Sequence, residues 1–192
     1  MRQNFLWACR LAAAVLTASA GSARAQTTSV GPYYATPSWD QTLPPATRFV
    51  VLSNFNSQAV LDRETGLVWL RAPVFFAALG TSLLTYADGW ELCETNGTGS
   101  RYGWRLPTVP EFSSLIDPSL YNPANPDVPL LPTPNPFNNV PTGNVLFWTS
   151  TVLPGDFRRT FSLNGSRGGA AASSSDTHQV WCVRGPRTDH PY

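Results

Sequence analysis

Two cysteines, Cys93 and Cys182, constrain this chain more than any other pair of residues, because they can tie its middle to its far end. The third cysteine, Cys9, falls in a stretch that reads as a secretory leader. Met1-Arg2 opens a positive region extending to Arg10, Leu11 to Leu16 is a short apolar segment, and Ala23-Arg24-Ala25 supplies small residues where a signal peptidase reads. Cleavage is expected before Gln26, and a lipoprotein reading through Cys9 fails because the residues ahead of it leave no room for an apolar region. In the oxidising compartment such a leader implies, the remaining even pair reads as a disulfide. Closing a loop of about 90 residues would restrict the unfolded chain by about 4–5 kcal/mol in the chain-entropy account. A reactive thiol would instead need a base nearby, and the histidines are His178 and His190, the second in the tail.

Removing residues 1–25 takes away three of the 13 cationic residues and none of the 12 acidic ones, so the net charge moves from +1 to −2. Every cation is arginine. A basic surface of the kind nucleic acid requires is absent, and no nucleic-acid partner is expected. Nor does any segment approach the ~20 apolar residues of a transmembrane helix. The protein reads as exported, to the periplasm, the cell surface or the medium.

Residues 26–46 are rich in Thr, Ser, Pro and Gly, with Trp39 and the Tyr33-Tyr34 pair as large side chains, and read as a flexible lead-in. One domain is expected over 47–186, followed by a tail at 187–192. The β-branched and aromatic run from Arg48 to Leu52 predicts a first strand. Ala59 to Asp62 and Leu67 to Leu70 flank a polar turn ending in Gly66, which is a hairpin signal. Leu83, Leu84, Ala87, Trp90 and Leu92 predict a helix over 81–94, weakened by Gly89, with Cys93 in its last turn. A second helix is marked by Thr108 and Glu111 as a capping box and by Pro110 in the first turn; Phe112, Leu115 and Ile116 form its buried stripe, and Asp117-Pro118 ends it.

Between Asp117 and Asn144 lie eight prolines and little periodicity, a loop long enough to be either functional or an anchored meander. Strands are then predicted from Val145 to Thr151, Phe157 to Leu163 and Gln179 to Arg184, the last two separated by a Gly/Ala/Ser-rich turn at 165–175.

Three fragments follow one another in a recognisable order: Tyr102-Gly103-Trp104-Arg105-Leu106-Pro107-Thr108-Val109-Pro110-Glu111-Phe112, Phe147-Trp148-Thr149-Ser150-Thr151, and Trp181-Cys182-Val183-Arg184-Gly185. Together they resemble the Lcl C-terminal domain family, the C-terminal domain of bacterial collagen-like adhesins, which is similar in fold to C-type lectins and to the formylglycine-generating enzyme. The resemblance implies an α+β, C-type-lectin-like fold: two helices, a twisted antiparallel sheet, long loops, and a fold-stapling disulfide between Cys93 and Cys182. It also implies that Trp104 and Trp148 are buried. These residues contain no collagen-like Gly-X-Y run, a departure from the family's namesake that argues against a stalked, collagen-mediated trimer; the oligomeric state is left open.

No catalytic, cofactor-binding or metal-ligating set emerges. The Glu-Pro-Asn or Gln-Pro-Asp tripeptide and Trp-Asn-Asp strand, through which true C-type lectins chelate calcium and sugar hydroxyls, are missing. Thr149 and Ser150 follow Trp148 instead, and Asn125-Pro126-Asp127 reads first as a turn, so no cofactor is expected, although calcium at a site without a motif stays open. Formylglycine-generating chemistry needs a reactive cysteine pair that this chain commits to a disulfide. No Gly-x-Ser-x-Gly elbow accompanies the serines, and a lone His178 beside a core strand reads as structural.

In Phe157 to Leu163, period two places Arg159 among apolar side chains, where it predicts a buried ion pair with Asp62, Glu64 or Glu111. Arg158 points the other way and, with Arg167, could form a small anion-binding patch. Tyr121, Phe137 and Trp39 sit in loops, where contacts to a ligand concentrate. The reading is therefore an exported, non-catalytic binding domain for polysaccharide or protein, with Arg158, Arg167, Tyr121 and Phe137 as candidate contacts. Any ligand is expected on the face built from the 117–144 loop and the 165–175 turn. The alternatives are an exported enzyme of uncharacterised type and a structural subunit of a surface assembly.

Overall fold

The computed structural model describes residues 43–74, 83–164 and 170–185; the expectations for residues 1–42, including the leader and Trp39, and for Arg167 and the tail fall outside them. Pro44 and Pro45 start the chain in a single helical turn, α1 (Pro45–Arg48), because a proline at the first helical position brings its φ already set. Arg48, expected to open a strand, is taken up in that turn, and β1 (Phe49–Val51) begins one residue later. A 3₁₀ turn at Ser53–Phe55 leads to the expected hairpin, β2 (Ala59–Asp62) and β3 (Val68–Leu70). There follow β4 (Leu83–Leu84), α2 (Tyr86–Glu94), β5 (Trp104–Arg105), α3 (Val109–Leu115), β6 (Leu146–Val152), β7 (Phe157–Ser162), β8 (Ala171–Ser173), β9 (His178–Gln179) and β10 (Val183–Arg184).

The strands form two sheets where one antiparallel sheet was expected. The first is antiparallel throughout, in the order β1-β2-β3-β10-β5, and the second runs β4-β9-β6-β7-β8 with β6 parallel to β9. The reason lies in Gln179 to Arg184, which reads as one strand but is interrupted by three fully buried residues, Val180, Trp181 and Cys182. Their carbonyls at Val180 and Cys182 accept from Val74 N and Leu70 N at 2.8 and 3.1 Å, and the Trp181 indole donates to Leu70 O at 2.7 Å. That segment carries the chain from one sheet to the other. The expected turn at 165–175 also contains β8, paired to β7; alanine has little β preference, so its sequence carries no strand signal.

The two longer helices, α2 and α3, are set by their caps. The Thr85 side chain accepts from Asp88 N, starting α2 at Tyr86 rather than at 81, while Leu83 and Leu84 pair with β9. Thr108 and Glu111 form the expected capping box on α3. Cys93, in the last turn of α2, is bonded to Cys182 just before β10, with 5.6 Å between Cα atoms, and both are buried. The core is aromatic: Phe112 stacks on Phe161 with ring centroids 5.3 Å apart and leans on Phe147 and Trp69, while Trp181 meets Trp69, Phe147 and Phe137. Trp104 and Trp148 are buried as expected.

Gly89, which weakens α2 as a sequence signal, is needed where the helix crosses the buried crossover. A Cβ there would lie 2.7 Å from Val180 Cγ2 and 3.5 Å from Trp148 Cδ1. Helix propensity alone would make Gly89→Ala stabilising by about 1 kcal/mol. Overpacking costs about 1–3 kcal/mol, so the variant should unfold at lower urea than wild type. A rise in stability would show that α2 does not rest on Val180.

Candidate functional site

A surface hollow of about 470 Å³ is lined by residues from four separate segments: Asn56 to Gln58, Leu70 to Ala72 with Val74, Asn96 with Thr98, and Asn138. Its walls are fixed by backbone. Asn56 and Ser57 both adopt left-handed φ, 53° and 56°, which turns the chain sharply out of the 3₁₀ turn; Ser57 N and Gln58 N bond back to Leu52 O and Phe55 O. The facing wall, Thr98–Ser100, lies against that turn because Gly99 has no Cβ: one built there would meet Phe55 Cα at 2.7 Å, and its φ of +67° also favours glycine. Arg101 covers the Phe55 ring from the far side at 5.1 Å.

Arg71 holds the floor together. Its Nε donates to Pro136 O at 3.0 Å and its Nη1 to Ser57 O at 3.3 Å, while its backbone accepts from Asn138 N and donates to Gln58 O. The side-chain amides of Asn56, Gln58 and Asn138 are exposed around this frame and make no hydrogen bond among the described residues. Leu70, Ala72 and Val74 give the bottom an apolar strip.

The long loop is anchored at its ends. Asp117 N donates to Leu130 O and Leu130 N to Leu163 O, Gly143 N to Asp127 O, and Asn164 Nδ2 to Gly143 O at 2.9 Å. Leu130 and Leu131 are buried. Among the described residues, only Asn138 of this loop reaches the hollow, and residues 170–175 contribute nothing to it.

The sequence-chosen residues are distributed differently. Tyr121 is exposed beside the 3₁₀ turn Pro118–Leu120. Phe137 is half-buried, with its ring 5.2 Å from Phe49 and 5.1 Å from Trp181. Arg158, expected to face solvent, is half-buried with its guanidinium 4.8 Å above the Tyr86 ring. Arg159 is also half-buried rather than enclosed in the core, and the carboxylates proposed for it are held by other arginines. A bulge in β6 between Trp148 and Val152 breaks the alternation. Burial along β7 is therefore graded, with Thr160, Phe161 and Ser162 all buried in succession.

Sequence reasoning missed the buried ion pairs themselves. Arg48 donates to both Asp62 oxygens, Nε at 2.9 Å and Nη2 at 2.7 Å, and also to Ser114 O at 2.6 Å, with Glu64 at 3.2 Å. Asp62 further accepts from Thr65 Oγ1 and Glu64 N. Arg105 grips Glu111 through both terminal nitrogens, and Glu111 Oε2 also accepts from Thr108 N at 2.8 Å. The acids of the turn after β2 were visible, but nothing local pointed them at Arg48.

His178 lies edge-on to Trp148, 4.6 Å between centroids, on a strand paired with β4. Burial pushes its pKa below the ordinary 6.5, partly opposed by Asp176. Among the described residues, no three His, Cys, Asp or Glu side chains stand together as metal ligands would, and no helix is long and apolar enough to cross a membrane.

The three fragments singled out in the sequence form one packed block. Val183 in β10 lies opposite Arg105 in β5 and Trp69 in β3, Ser150 N donates to Pro107 O at 2.8 Å, and Val109 N donates to Thr151 Oγ1 at 3.1 Å. The sequence model of the Lcl C-terminal domain matches residues 58–184, which span this whole block. The chain belongs to the Lcl C-terminal domain family. Comparison with curated proteins gives no match. Within this Lcl C-terminal domain, Arg105, Glu111, Trp148, Trp181 and Cys182 make scaffold contacts, whereas Asn56 and Ser57 of the hollow precede the matched segment.

Two predictions follow from these buried groups. Removing Arg48 leaves the buried Asp62 carboxylate without its cation, so Arg48→Ala should destabilise the fold by about 3–5 kcal/mol in denaturant unfolding. Arg159→Ala should cost much less; equal effects would deny Arg48 its place at Asp62. For His178, a lowered folded pKa means that the unfolded chain binds the proton more readily. Its contribution is fully present above the unfolded value of about 6.5 and is lost as pH falls from there through the lower folded pKa. Thermal midpoints should therefore drop from about pH 7.5 to about pH 5.5, with a shallower slope in His178→Gln. Parallel slopes would place His178 in solvent.

Proposed function

We infer that this domain is an exported, non-catalytic binding module that holds a neutral segment of polysaccharide in the amide-lined hollow. The carrying observation is the set of three uncommitted amides, Asn56, Gln58 and Asn138, around a frame that Arg71 fixes. An amide offers two donors and an acceptor, a match for adjacent sugar hydroxyls. A frame already ordered lowers the cost of binding. The apolar strip of Leu70, Ala72 and Val74 suits the CH face of a sugar ring. The hollow brings no nucleophile and base together, which favours binding over hydrolysis.

On the family's resemblance we read the fold as C-type-lectin-like, with binding independent of calcium because the chelating tripeptide and Trp-Asn-Asp strand are missing. The leader and the disulfide support export. Arg158, Arg167, Tyr121 and Phe137 remain proposed contacts for a longer or acidic ligand reaching beyond the hollow. A protein ligand is the second reading, supported by the exposed apolar side chains Val152 and Phe157 beside the β6–β7 turn.

A glycan array and calorimetry on the disulfide-bonded domain test this. Each lost amide contact at the usual ~1 kcal/mol weakens binding roughly fivefold, so Asn56→Ala, Gln58→Ala and Asn138→Ala should each do so with folding intact. Affinity for a neutral glycan should not change with chelator or salt. A sulfated glycan held through Arg158 should weaken as salt passes the ~0.15 M at which screening acts over about 8 Å. Binding abolished by chelator, or unaltered by all three alanine variants, would reject the hollow.

A further inference from the structure

The chain contains two Asn-X-Ser/Thr triplets, Asn96-Gly97-Thr98 and Asn164-Gly165-Ser166, and the structure treats their asparagines in opposite ways. Such a triplet marks an asparagine whose amide can be glycosylated in an exported protein, provided that the amide is reachable. Asn164 is not reachable. It is 4% exposed, its Nδ2 donates to Gly143 O, and its Oδ1 accepts from Ser162 Oγ at 2.8 Å. Asn96 lies in the turn after α2, half-buried at the edge of the hollow between exposed Thr95 and exposed Gly97. Its Oδ1 accepts from Thr98 N at 2.9 Å, and its Nδ2 has no acceptor among the described residues. The carbonyl end of the amide is therefore held, while its nitrogen is not tied up by another group of the described fold.

The residue two before each asparagine separates them again. Before Asn96 stands Glu94, exposed at the end of α2; before Asn164 stands Ser162, buried in β7. An acid at that position gives a transferase a charge to grip with an arginine, a strong and directional contact for a short exposed peptide. The turn itself is short, with Gly97 exposed, Asn96 and Thr98 half-buried, and no strand pairing to break.

We propose that Asn96, within Glu94-Thr95-Asn96-Gly97-Thr98, is an N-glycosylation acceptor for an acid-requiring oligosaccharyltransferase, and that Asn164 is not. In the reaction the Asn96 Nδ2–C1 bond forms as the bond from sugar C1 to the lipid pyrophosphate breaks. The polyprenyl pyrophosphate leaves with the electron pair, and the amide proton passes to a base of the transferase. Occupancy in the cell rests on the exported reading above; competence of the site does not.

The test is a purified reaction: the folded, disulfide-bonded chain with a single-subunit bacterial oligosaccharyltransferase and a lipid-pyrophosphate-linked oligosaccharide, read by intact mass and peptide mapping. An acceptor peptide carrying the same five residues shows that enzyme and donor are active. One added glycan should map to Asn96, disappear in Asn96→Gln, and fall severalfold in Glu94→Gln, with Asn164 unmodified in each. Modification of the peptide without modification of the folded chain would overturn the proposal, since the turn would then be inaccessible. A peptide left bare while a generic acceptor is modified would overturn it at the level of sequence. Glycan at Asn164, or occupancy indifferent to Glu94, would overturn the distinction between the two triplets. If the reaction succeeds while the chain made with a transferase in the same cell stays bare, export fails and the site stands.

Discussion

One buried carboxylate, Glu111, holds the two halves of this structure to each other. It is fully enclosed, and a charge without water needs a partner at each lone pair. It finds three hydrogens, two from the Arg105 guanidinium and one from Thr108 N. Arg105 belongs to β5 at the edge of the first sheet, and Thr108 is the cap of α3, so the ion pair sets the direction in which the helix leaves the sheet. The next bonds follow from that direction: Val109 N to Thr151 Oγ1 and Pro107 O from Ser150 N bring β6 of the second sheet alongside. One residue beyond Glu111, Phe112 then points into the centre of the aromatic cluster. Breaking such a pair costs more than making it contributes, because the surviving charge stays buried.

A second consequence concerns the loops. Eight prolines between Asp117 and Asn144 deprive that stretch of donors for a sheet, yet several of the remaining N–H groups find acceptors within the fold. Leu130 bonds on both sides, to Asp117 and to Leu163, and its side chain enters the core with Leu131. The meander is therefore clamped at its middle, and Arg71 clamps it again at Pro136 and Asn138. An arginine suits this task because its planar fork offers several donors in fixed directions. What looks in sequence like a long loop is, in its bonding, anchored to the core at Leu130 and to the frame of the hollow at Asn138.

How much of this could be read in advance depended on the distance between the groups concerned. The capping box is a three-residue relation and was legible; so were the hairpin around Gly66 and the cysteine pair, the one because its turn is local, the other because few cysteines leave few choices. Arg48 and Asp62 are 14 residues apart, and the Ser114 carbonyl to which Arg48 also donates is 66 away, so no window contains them. Alternation failed on β7 because a bulge in its neighbour changes which side chains face inward. The sheet change at Val180 to Cys182 failed for the opposite reason: three buried residues in a row look like any core strand. The hollow assembles four separated segments, and asparagines in turns are too common to be a signal by themselves.

The pattern that places this chain in its family is silent about ligands for a physical reason. Trp148 and Trp181 direct their indole N–H groups to backbone carbonyls of Leu84 and Leu70, Arg105 is closed on Glu111, and Cys182 is bonded. Side chains buried and committed in this way are out of a partner's reach, and substituting them alters the scaffold first. The groups that remain free sit on turns whose backbone is already satisfied, as at Asn56 and Asn138, where an amide can be exchanged without opening a buried bond. Recognition on such a fold can change residue by residue at the hollow while the block around Glu111 stays as it is. The family pattern thus accounts for where the hollow is held, and the uncommitted amides for what it could hold.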